Sequence, residues 1–200
     1  MDPYVYPGTN VLRNVRNIRD PEKLAELEGQ ATNFRIRQLE HEPIVGAFDT
    51  RHLQSIHQHI FQDVYPWAGE LRTVNIGKSG GLFAFKELIV SALARTFRDL
   101  KKELHLNGAD LLRFCSRAAY YLGEINAIHP FREGNGRTQR EFIRELALKN
   151  GYLLNWSRVS REQMLEASKQ SFRRDNLGLE QVLRCALENE QNHHRDDWDR

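Results

Sequence analysis

Between residues 111 and 125 the chain sets Leu111, Leu112, Phe114, Cys115, Ala118, Ala119, Leu122 and Ile125 at helical spacings. A helix on a protein surface needs one apolar stripe, whereas a stripe this broad has to be covered from several sides. The pattern therefore predicts the central helix of a bundle. Pro130 ends that helix near His129, because the residue before a proline is pushed out of the helical region. A second helix starts around Asn135-Gly136, carries Phe142, Ile143, Leu146 and Ala147, and is closed by Gly151. The unit is helix, short loop, helix.

The neighbours can be read in the same way. Asp20-Pro21-Glu22 offers an N-cap, a proline at the first helical position and an acid in the first turn, so a helix should run from about Pro21 to Glu40. From Thr50 to Tyr65, Leu53, Ile56, Ile60, Phe61 and Val64 keep helical spacing until Pro66 stops it. Helical spacing returns from Leu88 to Leu104, before Asn107-Gly-Ala-Asp110 breaks the chain. Between Glu70 and Phe85 the period changes to two, in Leu71-Arg-Thr-Val-Asn-Ile76 and Leu82-Phe-Ala-Phe85 around Gly77-Lys-Ser-Gly-Gly81. This is a β-hairpin over about residues 71–85 in an otherwise all-α chain. Residues 1–187 form one expected domain. The polar stretch 188–200, where apolar periodicity stops, is read as a frayed helix end and tail.

Composition removes several classes of function. Twenty-nine basic against 27 acidic residues leave a formal charge of +2, which lacks the footprint of a dedicated nucleic-acid binder. Cys115 and Cys185 are the only cysteines, too few for a disulfide framework or a four-cysteine zinc site. Neither a basic-then-apolar leader nor a membrane-length apolar run is present, and the expected location is cytoplasmic with no membrane partner.

The chemistry concentrates in His129-Pro-Phe-Arg-Glu-Gly-Asn-Gly-Arg-Thr-Gln-Arg140. Gly134, Asn135 and Gly136 lead into a helix start, whose unpaired N–H groups and positive dipole end form a seat for phosphate oxygens. Arg137 and Arg140 share a face of the first turns and can clamp outer phosphates. Cations there cost about 0.3–1 kcal/mol each against the dipole, unless an anion arrives to offset them. Glu133, the one carboxylate inside the loop, is the hard oxygen ligand that magnesium needs. His129, with an ordinary pKa near 6.5, can take a proton from an attacking hydroxyl near neutral pH.

This segment resembles the signature of Fic-domain proteins, H-P-F-x-D/E-G-N-G-R-x-x-R, and meets every specified position. Asp2-Pro-Tyr, Tyr6-Pro-Gly-Thr-Asn and Asp63-Val-Tyr-Pro-Trp-Ala-Gly69 extend the likeness to small bacterial Fic toxins, over residues 2–185. The resemblance implies a helical Fic bundle with a hairpin flap, and transfer of AMP from Mg-ATP to a Tyr, Thr or Ser hydroxyl of another protein. His129 is then the base, Glu133 the Mg²⁺ ligand, Gly134, Asn135 and Gly136 the phosphate turn, and Arg137 and Arg140 the β/γ-phosphate holders. Related Doc-type proteins carry lysine at the place of Gly136 and donate the γ-phosphate, so glycine favours AMP transfer. The flap residues Val74, Asn75, Ile76, Gly77, Lys78 and Phe83 are implied to dock the target by strand addition. An essential bacterial protein, such as the B subunits of DNA gyrase and topoisomerase IV, is the implied target.

Such enzymes are commonly restrained by a helix bearing Ser or Thr, three residues, Glu, then Gly or Asn. Here Glu precedes Gly or Asn only at Glu28, Glu133 and Glu188, and Leu24, His129 and Arg184 stand four before them. The inhibitory helix is therefore expected on a separate small antitoxin. Transfer of another phosphate-containing donor, and a non-catalytic interaction module, remain alternatives. Around the motif, Arg132 and Arg144 read as a solvated basic face, His52, His57 and His59 as packing or surface residues, and Tyr65 and Trp67 as a rigid corner. Glu124 and Asn126 read either as orienting His129 or as exposed helix surface.

Overall fold

The computed structural model describes residues 2–78 and 81–187. The expected polar tail, 188–200, lies outside the described residues, as do the hairpin tip and the side chain of Lys78. Seven α-helices are present among the described residues: α1 (Pro21–His41), α2 (Thr50–Phe61), α3 (Ile89–Lys102), α4 (Leu111–Ile128), α5 (Asn135–Lys149), α6 (Arg161–Phe172) and α7 (Leu177–Ala186). One antiparallel ribbon joins β1 (Gly77–Lys78) to β2 (Gly81–Leu82), with Gly77 opposite Leu82 and Lys78 opposite Gly81. None of the described helices is long and apolar enough to cross a membrane.

The broad stripe does build the centre. Phe114, Cys115, Ala118, Ala119, Leu122 and Ile125 are buried, and α4 packs against α3, α5, α6 and α7. Its first turn overhangs the bundle, leaving Leu112 exposed. Helix α5 fills the gap between α4 and α2, and α1 lies across α2. The helix starts follow local chemistry, because the side chains of Asp20, Asp49, Asp110 and Ser160 each accept a first-turn N–H. Ser160 and Gln163 complete a capping box on α6.

Two expectations change. Helix α2 stops at Phe61 rather than Tyr65, with the N–H groups of Val64 and Tyr65 both turning back to the Phe61 carbonyl. The turn lets the rings of Tyr65 and Trp67 stack 4.4 Å apart inside the core, which makes them the rigid corner expected of them. The hairpin is also shorter than the period-two pattern suggested. Val74, Asn75 and Ile76 lie outside the ladder, and beyond it the Phe83 N–H reaches across to the Ile76 carbonyl at 3.2 Å and the Lys86 N–H to the Asn75 side chain at 2.8 Å. A bare two-stranded ribbon is marginal in water. Here its stems are held apart by the side chain of Arg72.

Candidate active site

The six residues between α4 and α5 bring the motif together. His129 is the C-cap of α4, in the left-handed region at φ 49°, and its N–H closes the helix on Ile125. A β-carbon makes that conformation unfavourable, so it needs support from outside. Arg72 supplies it, donating from Nε to the His129 carbonyl at 2.8 Å and from its backbone N–H to the Pro130 carbonyl at 2.9 Å. The imidazole Nδ1 lies 3.2 Å from the Asn126 carbonyl. A carbonyl can only accept, so in the neutral ring Nδ1 carries the proton and Nε2 the basic lone pair. Asn126 thus orients the histidine through its backbone, while its amide goes to the Ser168 carbonyl. The Phe83 ring lies flat on the imidazole, 3.8 Å between centroids at 11°, and meets Phe172 edge-on. Phe85, two residues further on, is 52 % exposed.

The rest of the loop is clamped from inside. The Asn135 side chain accepts from the Phe131 N–H at 2.9 Å and donates to the Phe131 carbonyl at 2.8 Å, so only its backbone is left for a ligand. His57, fully buried, stacks on Phe131 at 3.9 Å, donates from Nε2 to the Glu133 carbonyl and accepts the Gly69 N–H at Nδ1. Burial pushes its pKa down to about 4, so the ring is neutral at physiological pH and one donor and one acceptor satisfy it. Gly134 sits at φ 79° directly over the Phe61 ring, where an added β-carbon would come within 2.1 Å. That is the close approach only glycine permits.

Helix α5 differs from the helices that carry caps, because no side chain caps it and its first turn holds no acid. The Gly134 N–H is taken by Glu133 Oε1 at 2.8 Å. The N–H groups of Asn135, Gly136 and Arg137 have no acceptor among the described residues. Gly136 is exposed, and a β-carbon there would meet only Arg140 Nη1, at 3.4 Å.

The two motif arginines are not equivalent. Arg137 is tied to α1 through Glu28 and Thr32, lies over the Phe61 ring, and stands 3.7 Å from Glu133. Arg140 has no carboxylate partner among the described residues, and burial together with the neighbouring Arg137 charge lowers its pKa. Both line a groove of about 530 Å³ with Ile36, Glu40, Arg144 and Trp156. The expected basic face is corrected: Arg132 pairs with Asp2 at 2.8 Å, and Arg144 with Glu141 at 2.6 Å and with the Leu39 carbonyl. Both charges are spent inside the fold.

The sequence reading missed three residues that shape this site. Arg72 carried no signal beyond a charge within an alternating stretch. His57 gave no sign of its neighbours, and Glu28 was set aside for lacking Ser or Thr four before it. His52 is buried as well, bonded to Glu145 at 2.7 Å, and no three His, Cys, Asp or Glu residues gather into a metal cluster among the described residues.

A glycine-led helix start without a side-chain cap thus lies beside a histidine whose Nδ1 is fixed, in a helical bundle with a short flap. The chain belongs to the Fic/DOC family, whose model matches residues 47–147. It is 44% identical over 86% of its length to protein adenylyltransferase VbhT of Bartonella schoenbuchensis, of which it spans 36%. It is 40% identical over 92% of its length to "Probable protein adenylyltransferase y4lH" of Sinorhizobium fredii, spanning 94% of that protein. In structure it is similar to BepC of Bartonella tribocorum with bound AMPPNP, at a TM-score of 0.88 and 25% identity, covering 94% of this chain and 97% of the other. Both of these curated relatives carry the name protein adenylyltransferase, the second as a probable one.

Proposed function

We propose that this chain transfers AMP from Mg-ATP to a Tyr, Thr or Ser hydroxyl of a target protein. The observation that carries the reading is the pairing, across one short loop, of an imidazole with Nδ1 fixed on Asn126 and a helix start left without a side-chain cap. Phosphate oxygens would take the N–H groups of Asn135, Gly136 and Arg137, and Arg140 would meet the outer phosphates with a charge that no carboxylate among the described residues neutralises. The target oxygen bonds to the α-phosphorus, the bridge from the α-phosphorus to the departing oxygen breaks, and pyrophosphate leaves. The hydroxyl proton passes to His129 Nε2.

Glu133 suits a magnesium ion. Its side chain is 45% exposed and one of its oxygens holds Gly134, leaving the other as a hard donor, with phosphates and water as the remaining ligands. When bound, the ion would neutralise charge on the departing pyrophosphate.

The flap would add the target as a strand beside Val74–Gly77, and an essential bacterial protein such as gyrase B remains the target suggested by resemblance. The groove beside Arg140, with Ile36 and Trp156 on its walls, suits the helix of a separate antitoxin whose glutamate pairs with that arginine.

Purified chain is to be incubated with ATP and Mg²⁺ in bacterial lysate, using α-labelled and γ-labelled ATP in parallel and His129→Ala as control. Protein label from the α-position alone, lost in the variant, is the expected result. Label from the γ-position alone would make the enzyme a kinase and overturn the reading.

A further inference from the structure

Arg72 is 2% exposed, and no carboxylate faces it among the described residues. Its guanidinium makes four hydrogen bonds, all to backbone carbonyls: Nε to His129 at 2.8 Å, Nη1 to Val74 at 2.6 Å, and Nη2 to Ala84 at 2.6 Å and Ile128 at 3.2 Å. Two of these acceptors close the C-terminus of α4. The other two are the opposite stems of the flap. The Ala84 N–H reinforces the junction by donating to the Ala127 carbonyl at 3.2 Å.

Capping alone does not explain this arrangement. A cation that only closed α4 would use the α4 carbonyls and leave its remaining N–H groups to water, at far less desolvation. A fully buried guanidinium is retained here with its fork spread between flap and catalytic loop. Lysine, with a single compact ammonium, has no such planar fork.

We propose that Arg72 is a positioning residue for the transfer reaction, locking the two flap stems to the backbone of His129 so that the flap-docked target hydroxyl meets the imidazole. The inference rests on the reading of His129 as base and of the flap as target dock. The flat stack of Phe83 on the imidazole is the consequence the lock would have at the ring itself. Freed stems would let Phe83 leave, and hydroxyl and base would lose their common frame. Misplacement by about 1 Å can lower a rate about a hundredfold.

The test compares wild type, Arg72→Lys and Phe83→Leu in three measurements. The first is the initial rate of α-label transfer to lysate protein as a function of ATP. The second is the Kd for ATP by calorimetry. The third is the ¹H–¹³C resonance of the His129 ring, identified by its loss in His129→Ala, which a ring stacked on Phe83 displaces upfield. Arg72→Lys should lower the rate at saturating ATP at least tenfold, change the Kd less than twofold, and abolish the upfield displacement. An unchanged rate, or a loss matched by an equal loss of ATP affinity, would overturn the proposal. Should Arg72→Lys fail to fold, Phe83→Leu carries the test: a lowered rate with intact ATP binding supports the lock, and a wild-type rate refutes it. If wild type itself transfers no label, the functional reading has failed, and the His129 resonance in Arg72→Lys still decides whether Arg72 fixes the ring.

Discussion

Glu28 on α1 and Arg137 on α5 form an ion pair with 2.5 Å between oxygen and nitrogen, and the Tyr65 hydroxyl donates to the second oxygen of the same carboxylate. Burial, followed by the Glu28 charge, holds the Tyr65 hydroxyl well above the usual phenol range. One of the two motif arginines is thus committed to the fold before any phosphate arrives. The other is not.

The two arginines should therefore separate in mutants. Arg140→Gln is expected to raise the KM for ATP or cut the rate at least tenfold while leaving the unfolding midpoint unchanged or raised, because a poorly solvated, unpaired cation is removed. Glu28→Gln is expected to destabilise the protein by about 1–3 kcal/mol, since Arg137 loses its counter-charge in a half-buried setting. Urea unfolding of both variants, with ATP titrations of the label-transfer rate, checks the contrast.

Stability should fall below pH 6.5 in a way that belongs to His57. Its folded pKa, about 4, lies below the 6.5 of the exposed ring. Between these values the unfolded chain takes up a proton that the folded chain refuses, so stability declines as pH falls and levels near 4. The full effect is about 3 kcal/mol. Urea midpoints from pH 7.5 to 4.5 should slope less in His57→Gln, whose amide keeps a donor and an acceptor without titrating.

Gly134→Ala should fail on two counts. The left-handed backbone at φ 79° is unfavourable for alanine, and its methyl would press into the Phe61 ring. A loss of at least about 2 kcal/mol is expected. ATP binding should weaken at the same time, because the turn that aims the α5 N–H groups has to shift. Denaturant unfolding and calorimetry with ATP measure the two effects separately.

His129→Ala should leave the unfolding midpoint within about 1 kcal/mol of wild type, since the loop backbone at this position is held by Arg72 through the carbonyl and not through the imidazole. The rate of α-label transfer should drop about 10²- to 10⁴-fold, the range for loss of a positioned general base. A variant that still labels lysate protein at the wild-type rate would exclude His129 as the base.

Much of this protein was legible in one dimension because the governing interactions are local. Apolar spacing identified α4 and α5, Asp20 and Pro21 marked the start of α1, and Pro130 placed the end of α4 beside His129, where the helix stops at Ile128. The residues proposed to seat phosphate could be named together because the loop that carries them is continuous in sequence. What remained hidden depends on partners far along the chain. Arg72 lies 57 positions from His129 and Glu28 lies 109 from Arg137, and spacing within a segment says nothing about such meetings. The flap was overextended for the same reason: alternation predicts which residues can form a strand, but here the stem carbonyls of Val74 and Ala84 accept from a guanidinium instead of from N–H groups of the facing stem. Sequence alone determined the helices α1 to α5 and the chemical kit of the loop, while α6 and α7 came only with the structure; only tertiary packing decided which charges were neutralised and how His129 is held, because those depend on desolvation and on long-range hydrogen bonds.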